Sequence, residues 1–290
     1  MAWVSYFLAR RQPAINVQNL GQTIRRALKE DIGSSDLTSQ LLIPKNKIVQ
    51  AKIITREPCL LCGVEIAKKV FLAVNGDLKF IALKKDGTLV GANQVVATIS
   101  GSAQSILKAE RVALNFLGIL SAVATKTRRF VKMAAQKSIK IIDTRKTIPG
   151  LRELQKYAVR IGGGYNHRFC LEEMVLIKDN HLKLMPKPLK FPKLPEQRKI
   201  EIEVENLGEF KRVLALHPDV IMLDNMKLSD IRQAVKIRNH TKNQNLILLE
   251  VSGGINFKNI KKYASTGVDL ISIGELTDSL SAIDLSLEVI

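Results

Sequence analysis

The sequence predicts two α/β units in succession: a mixed α+β unit over about the first 110 residues, then a barrel of parallel βα units. Three observations predict this. The early segments mix one helical period with several short strand-like runs. Further on, six apolar runs of strand length, "IKIIDT", "MVLIKD", "IEIEVEN", "DVIMLDN", "LILLEVSGG" and "DLISIGE", alternate with helical stretches, the pattern of parallel strands joined by helices. Each run also turns polar at its carboxyl end, and in a parallel barrel those ends converge on the face where such enzymes place their chemistry.

Taken in order, "VQNLGQTIRRALKEDIG" has apolar residues at helical spacing and predicts an amphipathic helix stopping at Gly33. "IVQAKIITR", "DLKFIALKKDGTLV" and "NQVVATISG" predict short strands, with a helix around "GVEIAKKVFLAV" between them. "SAQSILKAERVALNFLGILSAVATKTRRFVKMAAQ" predicts long helix before the barrel alternation begins. Residues 182–199, "LKLMPKPLKFPKLPEQRK", break that rhythm with lysine and proline and predict an exposed basic loop.

The 290 residues are 46% hydrophobic, enough to bury a core, and exclude a disordered or fibrous chain. Lys and Arg outnumber Asp and Glu by 45 to 27, so the formal net charge of +18 favours anionic partners: nucleic acid, an acidic membrane or polyanionic small molecules. Aromatic residues are only 5%, without aromatic-basic interleaving, which counts against a nucleic-acid-binding protein. Three cysteines make no disulfide framework and point to a reducing cytoplasm. Cys59 and Cys62 form a CxxC with no second Cys or His pair nearby, which suits a packed turn better than zinc. The opening "MAWVSYFLARRQP" carries its positive charges after its apolar patch, the wrong order for a secretory signal, and no apolar run is long enough to span a membrane.

At the predicted strand ends stand Asp143-Thr144-Arg145-Lys146, Lys178-Asp179, Glu203 with Glu205, Asp224, Ser252-Gly253-Gly254 and Gly274-Glu275. The cations Arg145, Lys146, Arg168 and Lys178, with His167 beside Arg168, suit a small molecule bearing two carboxylates, because arginine grips a carboxylate bidentately and lysine adds a point charge. Glu203 and Asp224, on successive strands, fit either structural ion pairing or Mg²⁺ held through one or two carboxylates and substrate phosphates. "EVSGGINFKNI" and "ISIGELTDS" put glycine before a helix start, where backbone N–H groups face an anion, and late barrel strands are a frequent phosphate site. Neither segment is a GxxxxGK[ST] loop, and "GGGYNH" is not a GxGxxG fingerprint, which disfavours a P-loop nucleotidase or a Rossmann dehydrogenase. The residues alone thus point to group transfer from a phosphorylated, metal-bound donor.

Here the sequence resembles the quinolinate phosphoribosyltransferases. The likeness runs through "LKEDIGSSDLTSQLLIP", "AERVALNFLGILSAVAT", "DTRKTIPGLRELQKYAVRIGGGYNHRFCLEEMVLIKDNH", "IEVEN", "IMLDN" and "SGGINFKNIKKYASTGVDLISIGELT". It implies an α/β sandwich over residues 1–112, rejoined by 276–290, and an incomplete TIM-like α/β barrel over 113–275 that carries the active site. It also implies a homodimer at minimum, each site capped by the partner's sandwich domain. Arg145, His167, Arg168 and Lys178 would form the quinolinate pocket, joined by Thr144 and, across the dimer interface, Arg111. Lys146, Glu203 and Asp224 would contact phosphoribosyl diphosphate and its Mg²⁺, while Ser252, Gly253, Gly254 and Gly274 would line the phosphate site. Lys178, His167, Glu203 and Asp224 are the implied catalytic set, with Lys178 or His167 orienting the departing carboxylate or delivering the proton. The implied activity is phosphoribosyl transfer to quinolinate with loss of CO₂, giving nicotinate mononucleotide and pyrophosphate for NAD biosynthesis. The same fold acting on another acceptor is the alternative.

Three residues depart from the family pattern. Ser35 stands where glycine is usual, Tyr165 where arginine or lysine is common, and Cys170 where glycine or asparagine is common, read here as a small packed residue. His181 is read as structural.

Overall fold

The computed structural model describes residues 17–134, 139–185, 199–241 and 247–290. In chain order these form α1 (Val17–Ile32), α2 (Leu37–Leu42), β1 (Ile48–Thr55), β2 (Cys59–Leu60), α3 (Val64–Val74), β3 (Lys79–Ala82), β4 (Leu89–Val90), β5 (Val95–Ser102) and the long helix α4 (Ala103–Ala134). There follow β6 (Lys140–Ile142), α5 (Arg152–Ile161), β7 (Val175–Ile177), α6 (Asp179–Leu184), β8 (Ile200–Val204), α7 (Leu207–Leu214), β9 (Val220–Asp224) and α8 (Leu228–Asn239). The chain ends with β10 (Leu248–Ser252), α9 (Ile260–Ala264), β11 (Leu270–Ser272), α10 (Glu275–Asp278) and β12 (Leu285–Val289). Two compact units result, one holding residues 17–128, 148–163 and 279–290, the other 129–147 and 164–278. Among the described residues no helix is long and apolar enough to cross a membrane.

The first unit is built on a sheet of order β12-β1-β5-β3, all antiparallel. Pairing of β12 with β1 brings the last residues of the chain into the sheet formed by its early ones. Ile53, Ile99, Val70 and Phe71 are buried in its core, each such side chain contributing about 1.5–3 kcal/mol. Helix α1 ends where the apolar period stops, with Gly33 at φ +60 and its N–H on the Lys29 carbonyl. Asp86 accepts from the N–H groups of Gly63 and Val64, both at 2.9 Å, and so tethers the start of α3; Tyr157 donates to the same carboxylate at 2.8 Å.

Two details differ from the sequence expectation. Cys59 and Leu60 form a strand, which pairs with β4, so "GTLV" reaches β2 and not β3. Cys59 and Cys62 are both buried, and burial raises both thiols, Cys59 to about 11, so the CxxC is packing, as expected. In the segment 182–199, residues 182–184 belong to α6; residues 186–198 lie outside the described residues.

The second unit holds all six expected strands in one parallel sheet of order β6-β11-β10-β9-β8-β7. Tyr165 adds a parallel bridge to Ile142 on the outer side of β6, and among the described residues nothing pairs it to β7, so the barrel is incomplete. Side chains alternate along a strand, and the register stacks them in layers. Ile142, Val220, Leu248 and Leu270 form an apolar floor, against which Tyr165 packs; Lys140 lies 5.2 Å from the Tyr165 ring centroid. Two residues up each strand come Met222 on β9, Glu250 on β10 and Ser272 on β11, with Glu250 in register with Met222. Another two bring Asp224 and Ser252, also in register, to the strand ends, and Gly274 just past β11.

Candidate active site

The mouth of this barrel is assembled from short connections that follow the strands. Asp143, fully buried just after β6, accepts from the His167 backbone N–H through Oδ1 at 2.9 Å and from Asn166 Nδ2 through Oδ2 at 2.6 Å. One carboxylate thus ties the segment after the glycine run to the end of β6. In that run, Gly162 caps α5 by donating to the Ala158 carbonyl, and Gly163 turns the chain at φ +86.

Arg168 is buried at 8% exposure, with Nη1 donating to the Met174 carbonyl at 2.9 Å. Burial, and after it the neighbouring Arg145 guanidinium, lower its pKa from the usual arginine value. Two guanidinium groups so placed repel each other, and an anion between them removes that repulsion. Lys178, at the end of β7, donates through Nζ to Glu203 Oε2 in an ion pair whose carboxylate is almost wholly buried. Its backbone N–H donates to His181 Nδ1 at 3.0 Å, the structural role expected of that histidine. Asp224 is half-buried at the end of β9 and accepts from Asn225 Nδ2 at 2.8 Å. Thr144 Oγ1 accepts from the Lys146 N–H at 3.0 Å, holding the turn that carries exposed Lys146.

Gly253 at φ +94 and Gly254 at φ +60 carry the chain out of β10 in a left-handed path. A Cβ on Gly253 would lie 2.1 Å from Asn225 Oδ1, so the close approach of these two loops needs glycine. Gly274 sits beside Lys146 and Asp278, and its carbonyl accepts from the Thr277 N–H at 3.0 Å. Thr277 Oγ1 also donates to the Lys146 carbonyl at 2.6 Å, joining the β6 and β11 ends. Gly253→Ala is expected to cost about 1–3 kcal/mol of stability, from backbone strain and displacement of Asn225. Thermal denaturation and the Michaelis constant for the phosphorylated donor would check this; an unchanged pair of values would refute the packing argument.

Of the expected residues, Thr144, Arg145, Lys146, His167, Arg168, Lys178, Glu203, Asp224, Ser252, Gly253, Gly254 and Gly274 all fall in this one unit. Arg111 lies in the other unit, on the exposed face of α4, 3.9 Å from Glu110. Cys170, expected to pack, is instead partly exposed, its thiol 3.7 Å from Glu172 Oε1, because it lies in an irregular turn between Tyr165 and β7.

Two further residues belong to the site, although position at a strand end does not single them out. Glu201 and Glu250 are fully buried inside the barrel, facing His167: its Nε2 is 3.0 Å from Glu201 Oε2 and 3.6 Å from Glu250 Oε2. Burial raises the pKa of both carboxyls, and Glu201 raises that of Glu250 further. Glu201 Oε1 and both Glu250 oxygens lack a well-aligned protein donor; a proton on Glu250, shared with Glu201, serves two of these three oxygens, and the Ser272 hydroxyl lies beside Glu250. The signal was available: in "IEIEVE", Glu201 precedes Glu203 by one full strand period and so points into the same interior.

This architecture and its mouth define an α/β-barrel enzyme adapted to small anionic molecules. Comparison with known proteins gives the family. The description "Quinolinate phosphoribosyl transferase, N-terminal domain" matches residues 36–121, and "Quinolinate phosphoribosyl transferase, C-terminal domain" matches 123–288. The chain belongs to the quinolinate phosphoribosyl transferase family. It is 38% identical over 278 residues to the carboxylating nicotinate-nucleotide pyrophosphorylase of Mycobacterium leprae, covering 92% of this chain and 96% of that protein. Among solved structures, the nicotinate-nucleotide pyrophosphorylase of Francisella tularensis superposes with a TM-score of 0.87 at 40% identity, covering 94% of this chain and 96% of that one. The Ehrlichia chaffeensis enzyme of the same name gives 0.83 at 38% identity, covering 93% and 98%.

Proposed function

We propose that this chain transfers the phosphoribosyl group of 5-phosphoribosyl 1-diphosphate to quinolinate and decarboxylates the adduct, giving nicotinate mononucleotide, pyrophosphate and CO₂. The observation that carries the reading is the convergence of two neighbouring guanidinium groups, Arg145 and buried Arg168, in the unit that also holds Lys178 at a strand end. Such a set matches an acceptor with two adjacent carboxylates better than the monocarboxylate nicotinate.

In the proposed reaction the pyridine nitrogen lone pair forms a bond to the ribose anomeric carbon as the bond from that carbon to the diphosphate oxygen breaks. Positive charge grows on the ribose and negative charge on the leaving group, so Glu203 and Asp224 stabilise the first, and Lys146 and the Gly253-Gly254 and Gly274 backbone the second. The ring nitrogen is then cationic. The bond to the 2-carboxylate breaks, CO₂ leaves, and the electron pair remains on the ring carbon beside that nitrogen until a proton, for which Lys178 is the placed ammonium donor, replaces it.

Mg²⁺ fits this mouth as an ion carried in by the diphosphate, because Asp224 is half-exposed at a strand end while Lys178 occupies one oxygen of Glu203. When bound it would neutralise the departing diphosphate, with Asp224 and Glu203 its protein partners. The test is an assay with quinolinate, 5-phosphoribosyl 1-diphosphate and Mg²⁺, with nicotinate in competition. Absence of nicotinate mononucleotide, or a preference for nicotinate, would overturn the reading.

The proposal includes a homodimer in which Arg111 completes the partner's pocket. Its exposed position on α4 and its charge support that role. Mixing inactive Arg111→Ala subunits with inactive Arg168→Ala subunits is then expected to restore about a quarter of wild-type activity, since random exchange leaves one intact site in half of the dimers. No recovery after verified subunit exchange would exclude action across the interface.

A further inference from the structure

We propose that Glu201 is a positioning residue for the dicarboxylate pocket: it holds the His167 ring in one tautomer, and the ring in turn sets the place of Arg168. The proposal rests on the reading of Arg168 as a carboxylate ligand.

Each imidazole nitrogen has a defined partner. Nδ1 accepts from the Arg168 backbone N–H at 2.8 Å, and Nε2 lies 3.0 Å from Glu201 Oε2. A donor aimed at Nδ1 and a carboxylate at Nε2 admit one arrangement, with the proton on Nε2. The backbone of His167 is held separately by Asp143, so the ring is anchored at its root and at both nitrogens. Without Glu201 the proton on Nε2 loses its nearest acceptor, leaving Glu250 Oε2 at 3.6 Å and the Arg168 N–H at Nδ1 to hold the tautomer less firmly. A proton on Nδ1 would then set two donors against each other at the Arg168 N–H, pushing away the residue whose guanidinium is fixed to the Met174 carbonyl.

His167, Glu201 and Glu250 also bring three ligand atoms within 4.8 Å of one another, as a buried metal site would. The His167 environment argues against that. A metal-bound histidine almost always donates from its other nitrogen, whereas here Nδ1 receives a donor, so coordination through Nε2 would require a ring stripped of both protons. Glu250 serves instead as the partner of Glu201, its Oε2 at 3.6 Å from Nε2 against 3.0 Å for Glu201, where neither carboxyl meets solvent.

The experiment uses the full chain, with ring nitrogens observed by ¹⁵N–¹H NMR and steady-state kinetics measured on the same preparations. In the wild type the ring is expected to carry its proton on Nε2, and metal analysis to find no stoichiometric ion. Glu201→Ala is expected to raise the quinolinate KM about tenfold, the loss of one charge-assisted hydrogen bond, while kcat and the KM for the phosphoribosyl donor change less than about threefold. Glu201→Gln retains an acceptor: it keeps the tautomer and holds the quinolinate KM near wild type, while the Nε2 proton resonance moves upfield. If the alanine variant does not fold, the glutamine spectrum carries the test. A proton on Nδ1 in the wild type, an unmoved Nε2 resonance in Glu201→Gln, or a bound stoichiometric metal each overturns the proposal. So does an unchanged quinolinate KM in Glu201→Ala where Arg168→Ala raises it. If Arg168→Ala leaves that KM unchanged while the ring carries its proton on Nε2, the pocket reading fails and the local geometry stands.

Discussion

Arg168→Ala is expected to lower kcat/KM for quinolinate by about a hundredfold to a thousandfold, about 3–4 kcal/mol and within the range typical of removing one member of a desolvated charge pair. The donor KM should stay close to wild type. The size follows from the setting: the residue is 8% exposed, so water has little access to take over its role, and the like charge of Arg145 nearby favours an anion at this place. The folded state loses the hydrogen bond to the Met174 carbonyl and the attraction of Glu201 and Glu173 but is relieved of repulsion from Arg145, so the melting temperature should fall less than activity does. Arg168→Lys keeps the charge but not the planar fork, and should recover only part of the loss. Steady-state kinetics with quinolinate varied would measure this, and a proportionate loss in donor KM would show that the arginine supports the whole mouth instead.

How far the sequence disclosed this site follows from the physics of parallel sheets. Strands covered on both faces read as continuous apolar runs, so β6 to β11 stood out, and polar residues at their carboxyl ends stood out against them. The same contrast concealed Glu201 and Glu250. A glutamate inside an apolar run reads as an interruption or an exposed position, since burying one is costly, and only a shared proton and a facing histidine make it tolerable. His167 was recognised as a pocket residue, but that both its nitrogens are engaged within the protein depends on atoms supplied by residue 201 and by the following peptide. The pairing of β2 with β4 was equally hidden, because two-residue strands have no period to detect. Arg111 shows the opposite limit. On α4 it has the appearance of any solvated helix arginine, and only the family resemblance singles it out.

Lys178→Met should lose both activity and stability, and the two losses should separate when Glu203 is changed as well. The ammonium lies on a carboxylate that is only 8% exposed. Removing it leaves Glu203 charged and poorly solvated, at a cost of about 1–3 kcal/mol. Because an ammonium has three donors, Lys178 can hold Glu203 and a substrate carboxylate together, so its loss should also cut kcat by about a hundredfold through the decarboxylation step. In Lys178→Met with Glu203→Gln the buried charge is gone, and the melting temperature should return most of the way to wild type. Activity should not return, since neither the proton donor nor the carboxylate beside the ribose is present. Chemical denaturation and single-turnover kinetics on the wild type, the two single variants and the double variant form a complete cycle. If stability recovers and the double variant is as active as Glu203→Gln alone, Lys178 serves only to neutralise Glu203; if stability recovers but the double variant is far slower than Glu203→Gln alone, the ammonium acts on the substrate.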